Sequence, residues 1–163
     1  MREAAVLVLL WGDPTRVLVV RKSCSIDSYW SCDIALPGGH IKPGEDPIQA
    51  ALREAWEEAW IHPSIVKVQE ILAPEKTLAG NRLIHPVVAV PKGPLCPRPA
   101  SEEVDAVLWI PLSIVGNKPR EIRHPRRGVF VEGYRLAGGV LWGATLRILR
   151  RLYSMHSSKM EEP

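Results

Sequence analysis

From Pro37 to Ile61 the chain reads PGGHIKPGEDPIQAALREAWEEAWI, and this stretch sets more conditions on the fold than any other. Asp46 before Pro47 is a helix start: an acid at the capping position, then a proline whose fixed φ suits the first helical residue. The helix is predicted from Pro47 to about Trp60, and His62-Pro63 ends it. Ala51, Leu52, Ala55 and Ala59 give it a small apolar face that can pack close to a sheet. Glu54, Glu57 and Glu58 fall on another face, because residues three and four apart share one side of a helix. Such like charges repel by roughly a few tenths of a kcal/mol per pair. A hard divalent cation reverses that sign, since Mg2+ and Mn2+ take oxygen ligands. Three glutamates alone would also suit a solvated helix face, so the rest of the stretch has to decide.

The remaining pattern reads as an α/β domain. Ala4 to Leu10 and Val17 to Val20 are buried, β-branched runs separated by Gly12-Asp13-Pro14, and they read as an antiparallel strand pair. Residues 23–33 read as loop, Ile34 to Leu36 as a short strand, and Gly38-Gly39 as a turn. Ile65 to Leu72, Val104 to Ile110 and Val129 to Leu136 read as strands. Leu83 to Val90 contains Pro86, which points to an edge or bulged strand. Residues 117–127 are basic and polar and read as a mobile connection. From Gly139 onward, Leu141, Thr145, Ile148, Leu149 and Leu152 give an amphipathic helix. The expectation is a mixed sheet between helices, with one domain over 1–153 and a polar C-terminal tail over 154–163.

Composition narrows the function classes. A net charge of +3 on 163 residues argues against a protein that coats nucleic acid and suits anionic small substrates. Cys24, Cys32 and Cys96 make an odd count without a CxxC pair, which fits a reducing cytoplasm and not a disulfide framework; one Cys24–Cys32 bridge is conceivable. The longest apolar run is too short to span a bilayer, and no signal peptide precedes it. Fifteen prolines and few amides (Gln49, Gln69, Asn81, Asn117) have the balance of a thermophilic protein.

Gly39, five residues, Glu45, seven residues, then Arg53-Glu54-Ala55-Trp56-Glu57-Glu58-Ala59-Trp60-Ile61 resembles the Nudix box. The chain departs from that pattern at Trp60, where the family has glycine at the helix end. A tryptophan there must take a left-handed conformation or end the helix differently. The resemblance implies a Nudix-like α/β/α sandwich and a metal-dependent pyrophosphohydrolase that cleaves a nucleoside diphosphate linked to another moiety. It implies Mg2+ or Mn2+ as cofactor, with Glu54, Glu57, Glu58 and the Gly38 carbonyl as ligands. Glu54, Glu57, Glu58 and Arg53 form the implied catalytic set. Arg53 is also expected to pair with a box carboxylate such as Glu45, and Gly39 and Glu45 are structural. A homodimer is common among such relatives.

The flanks extend the likeness. Asp27 to Gly39, DSYWSCDIALPGG, resembles the lead-in of a subgroup close to coenzyme A pyrophosphatases, as do segments near His85, Trp109 and Trp142. The Leu-Arg-x-His-x-Gly element of true coenzyme A enzymes is absent. Coenzyme A and ADP-ribose types therefore both stand as substrate classes.

Outside the box, Arg21, Lys22, Arg123, Arg126 and Arg127 are candidate phosphate cations as a group, since guanidinium forks match phosphate. Each alone is ordinary surface. His40 is a candidate for facing substrate beside the glycines. Glu102 and Glu103 are candidate bases outside the helix, against the plainer reading of a solvated loop. Trp30 could stack on a base, and Trp142 reads as packing. The histidines lack zinc spacing, and the cysteines lack a base partner. Two further readings compete with the small-conjugate hydrolase. One is a non-catalytic nucleotide-binding regulator on the same fold. The other is hydrolysis of (d)NTPs, dinucleoside polyphosphates or RNA caps.

Overall fold

The structure is a computed structural model that describes residues 2–25, 32–77, 81–125 and 127–161. In chain order the strands and helices are β1 (Arg2–Trp11), β2 (Arg16–Lys22), β3 (Ile34–Ala35), β4 (Gly38–His40), α1 (Pro47–Ala59), β5 (Val66–Ile71), β6 (Glu75–Lys76), β7 (Arg82–Pro91), β8 (Val104–Pro111), β9 (Arg120–Arg123), β10 (Phe130–Leu136), β11 (Gly139–Trp142) and α2 (Gly143–Glu161). The main sheet is mixed: β1 runs parallel to β7, while β2, β4 and β5 add antiparallel. A smaller sheet has the order β11-β10-β9.

Strand alternation sorts the core into two layers. Ala5, Leu7 and Leu9 of β1 and Leu18 and Val20 of β2 pack with Ala50, Ala51, Ala55 and Ala59 of α1. Val8, Leu10, Val17 and Val19 point the other way, toward Leu146, Ile148, Leu149 and Leu152 of α2. Successive side chains on a strand face opposite sides, so one buried strand serves both helices. The result is the expected α/β/α sandwich. No helix among the described residues is long and apolar enough to cross a membrane.

Several local expectations are revised. Gly38-Gly39 is no turn: it lies in β4, with Val6 opposite Gly38 and Ala5 opposite Gly39. A Cβ on Gly38 would sit 2.3 Å from the Ala5 carbonyl oxygen, so glycine is required by close strand approach. β7 is central, not an edge. Pro86 is tolerated because its antiparallel neighbours break there: β5 ends at Ile71 opposite Val87, and β6 begins at Glu75 opposite Ile84. Residues 120–123 of the basic stretch form β9. Residues 139–142 are strand, not helix; the positive φ of Ala137 and Gly138 makes the hairpin, and Gly143 (φ 65°) opens α2. The helix also continues past Tyr153 to Glu161, into the stretch expected as a polar tail.

The cysteine expectation is corrected too. Cys24 and Cys32 form a disulfide, and Cys96 is free and exposed. Odd parity gave no sign of it, because the third cysteine takes no part.

Helix α1 begins and ends by identifiable devices. The Asp46 side chain accepts from the Gln49 N–H (2.8 Å), and the Gln49 side chain accepts from the Asp46 N–H (2.9 Å), a reciprocal capping box. At the other end Trp60 takes the left-handed conformation (φ 58°, ψ 38°), and the Ile61 N–H reaches the Ala55 carbonyl at 3.3 Å. That backbone costs a non-glycine residue roughly 1 kcal/mol. Trp60 offsets it by stacking on Trp56 (centroids 4.5 Å apart) beneath the Arg98 guanidinium at 4.9 Å.

Two stability outcomes are expected from these features. Trp60→Ala keeps the left-handed strain and loses the stack, so it should be less stable than Trp60→Gly by about 1 kcal/mol in urea titrations. Cys24→Ser, or reduction of the native protein, should lower the unfolding free energy by roughly 2–3 kcal/mol, the loop-closure entropy of a short ring.

Candidate active site

The box residues gather where β4 passes over α1. Arg53 is the centre of the cluster. Its Nε and Nη2 donate to the two Glu45 carboxylate oxygens at 2.7 and 3.0 Å. Nη1 donates to Glu54 at 2.9 Å and Glu57 at 3.3 Å, and Nη2 also reaches the His40 carbonyl oxygen at 3.1 Å. The expected pairing with Glu45 is thus present as a bidentate fork, which pins the 41–46 loop and β4 to the helix. Hydrogen bonds from Arg53, and then from the Lys42 N–H, hold the Glu45 carboxyl down at about 2. The hydrogen bonds to Glu45, and then to Glu54, push Arg53 above its ordinary value.

Glu58 is buried on the sheet side of the helix. One oxygen accepts the Gly38 N–H at 2.8 Å, and the other is paired with the Lys22 ammonium. Burial pushes its carboxyl up, while Lys22 and the Gly38 N–H oppose that shift. Glu54 lies against Gly39, where a Cβ would come 2.6 Å from its Oε1. The two glycines therefore form the cradle in which both carboxylates sit. Glu57 stays half exposed beside Arg53.

Glu54 and Glu58 open onto a cavity of about 620 Å3. Gly38, Gly39, His40 and Arg53 line it, and so do Lys22, Arg127 and Glu103. Of the other candidates, Arg21 is committed elsewhere: it donates to the Ala137 carbonyl at 2.7 Å and faces Asp105 at 3.7 Å. Arg123 borders a separate surface depression. Glu102 is exposed and does not reach the cavity, whereas Glu103 does. Arg126 and Trp30 lie outside the described residues. Desolvation, then Arg82 and Arg2, lower the His40 imidazole, whose Nε2 is 3.1 Å from the Arg82 guanidinium.

The cavity also has walls that motif reasoning did not find. Thr77 lies just after β6, Arg82 comes from β7 and Arg147 from α2, and Asp33 and Trp142 face it from beyond β2. Asp33 was visible only as part of the lead-in motif, and Trp142 only as a packing residue. Arg82 reaches the site through the parallel pairing of β7 with β1, which no local signal announces.

Among the described residues no group of three His, Cys, Asp or Glu side chains stands in a metal-binding arrangement. One oxygen each of Glu54 and Glu57 is paired with Arg53, and one of Glu58 with Lys22. The donor set itself is all oxygen on one helix stripe beside backbone glycines, which fits a hard divalent cation and not a soft one.

The Glu45–Arg53 fork predicts an acid transition. A carboxyl depressed in the folded state stabilises the fold above its ordinary value of 4.5 and stops doing so as pH falls toward about 2. Wild type should melt higher than Glu45→Gln at pH 6. The gap should shrink below pH 4.5 and close near pH 2 in thermal melts.

Known proteins similar to this chain identify its family. The NUDIX domain family matches residues 1–132. The uncharacterized Nudix hydrolase NudL of Escherichia coli K12 is 34% identical over 161 residues, covering 93% of this chain and 81% of that protein. The crystal structure of a Caenorhabditis elegans Ap4A hydrolase binary complex is similar at TM-score 0.57 and 25% identity, over 70% of this chain and 82% of that one. The NUDIX domain of Shewanella oneidensis NrtR, solved with ADP ribose, shares the fold at TM-score 0.60 and 16% identity, over 95% and 88% of the two chains. With a family match over most of its length and a relative sharing a third of its residues, the chain belongs to the Nudix hydrolase family.

Proposed function

We propose that this Nudix pyrophosphohydrolase cleaves the diphosphate bond of a small nucleoside diphosphate conjugate, of the coenzyme A or ADP-ribose type. The observation that carries the reading is one cavity holding the box carboxylates Glu54 and Glu58 together with the cations Lys22 and Arg127. A diphosphate brings negative charge, and such a cavity can hold it while excluding bulk water. The Ap4A hydrolase likeness and the ADP ribose held by the NrtR domain support a nucleotide conjugate as the substrate class.

Glu54, Glu57 and Glu58 would hold the divalent cation, Mg2+ or Mn2+, which family members generally use. When bound, it neutralises diphosphate charge and lowers the pKa of a coordinated water. The chain's own residues set the frame. Arg53 orients Glu54 and Glu57, the Gly38 N–H orients Glu58, and Lys22 and Arg127 offer positive charge to phosphate oxygens. Glu103 is the outside-box candidate that the cavity admits as a proton acceptor. The domain in this reading spans residues 1–153, which include every site residue named in this account, although α2 itself runs on to Glu161. A cytoplasmic location, expected from the cysteine count, has to accommodate the Cys24–Cys32 bond. Intracellular proteins of hyperthermophiles carry such bonds, in keeping with the proline-rich, amide-poor composition.

Purified protein with Mg2+ or Mn2+ should hydrolyse at least one member of a panel of coenzyme A, ADP-ribose, dinucleoside polyphosphates and oxidised dNTPs. Mass identification of both products should show a break within the phosphate chain. Glu58→Gln and Glu57→Gln should each lower kcat by about 100-fold or more. Nucleotide binding without turnover, insensitive to both substitutions, would establish the regulator reading instead.

A further inference from the structure

The cavity wall beyond Lys22 contains a carboxylate that neither the box nor the diphosphate explains. Asp33 is only 8% exposed, yet it lines the cavity. Its Oδ1 is saturated by two donors: His124 Nε2 at 2.7 Å and Trp142 Nε1 at 2.9 Å. His124 is fully buried, and its Nδ1 accepts the Arg127 N–H at 3.2 Å, which places the ring proton on Nε2 toward Asp33. Oδ2 is different. Among the described residues no donor reaches it within hydrogen-bond distance; the nearest cation is Arg127 Nη2 at 3.7 Å. Oδ2 thus keeps its hydrogen-bonding capacity open toward the cavity that Asp33 lines, with a cation beside it.

The surroundings say what a ligand at this oxygen must offer. The Arg127 guanidinium lies over the Trp142 ring at 4.5 Å, so the open oxygen stands beside a cation–aromatic stack. A ligand group that satisfies both must be planar, able to stack, and edged with an N–H donor. An amino-bearing nucleobase meets all three conditions, and a carboxylate is the acceptor that pairs with such an amino group. A base presenting a carbonyl at the same edge would set lone pairs against lone pairs and be rejected. The location fits as well. The Asp33 carbonyl accepts the Lys22 N–H at 2.8 Å, and Lys22 pairs with Glu58, so this wall and the box are fixed to one strand pair.

We propose that Asp33, oriented by His124 and Trp142, is the base-reading residue of this site and selects nucleotides whose base turns an exocyclic amino group toward it. This rests on the nucleotide-hydrolase reading given above. The test is calorimetric binding in magnesium buffer of three matched pairs: ADP against IDP, GDP against IDP, and CDP against UDP. In wild-type protein the amino-bearing member of at least one pair should bind about 10-fold or more tightly. Asp33→Asn, which supplies a donor as well as an acceptor, should reduce that ratio to about one or invert it. Equal affinities within all three pairs for wild-type protein overturn the base-reading role whatever the variant does. A ratio that survives Asp33→Asn in a protein that melts like wild type overturns it too. Inorganic pyrophosphate, tested on wild-type protein, separates the two readings: if it and all the diphosphates fail to bind, the nucleotide reading itself falls.

Discussion

The site depends on Arg53. Its one guanidinium reaches Glu45 in the loop, His40 in β4, and Glu54 and Glu57 on its own helix. Three segments that could move separately become one body. The arrangement also resolves an electrostatic conflict, because carboxylates one turn apart would repel if left alone. The arginine keeps them close enough to act together without burying any of them unpaired.

A second constraint is distance. β4 can approach β1 and α1 only because residues 38 and 39 lack side chains. The Gly38 N–H then meets Glu58, and Glu54 fills the space beside Gly39. Lys22 enters from β2 on the other side of Glu58, so the buried carboxylate has a charge partner despite its desolvation. Strand, loop and helix thus each contribute one element to a single polar cluster at the mouth of the cavity.

The box was legible because its chemistry is local: Asp46-Pro47, the Glu stripe and Arg53 all act within one helix and its leading loop. The α/β/α layering was legible for a similar reason, since buried strands and one amphipathic helix announce themselves by period. What sequence reasoning missed was set at long range. Pro86 pointed to an edge or bulged strand; the strand is central, its ladder with β5 is irregular at Val68–Glu70, and an interruption between β5 and β6 makes room for the proline. Leu141 matched a helical period while belonging to β11, because the hairpin at Ala137-Gly138 precedes it. Asp33, His124 and Trp142 carry no spacing signal, for they are brought together only when β3 and the small sheet meet at the Asp33–Val140 bridge. Trp60 in place of glycine left two helix exits open in the sequence, left-handed or different; the structure takes the left-handed one, and its compensation by Trp56 and Arg98 depends on side-chain packing.

The parallel pairing of β1 with β7 has a consequence for how the protein is made. Arg2 lies opposite Arg82 and Leu9 opposite Ala89, so this central ladder joins segments about 80 residues apart. At ribosomal rates of roughly 5–20 residues per second, the first strand is synthesised several seconds before its partner exists. Helix α1 lies between them and can form early, with its own cap, but the sheet that seats it stays incomplete. The apolar run Val6 to Leu10 spends that interval without β7 at its edge, the condition in which strands associate with the wrong chain. The central ladder of the sheet that seats the catalytic helix therefore closes late, and its first strand waits exposed while the chain is still growing.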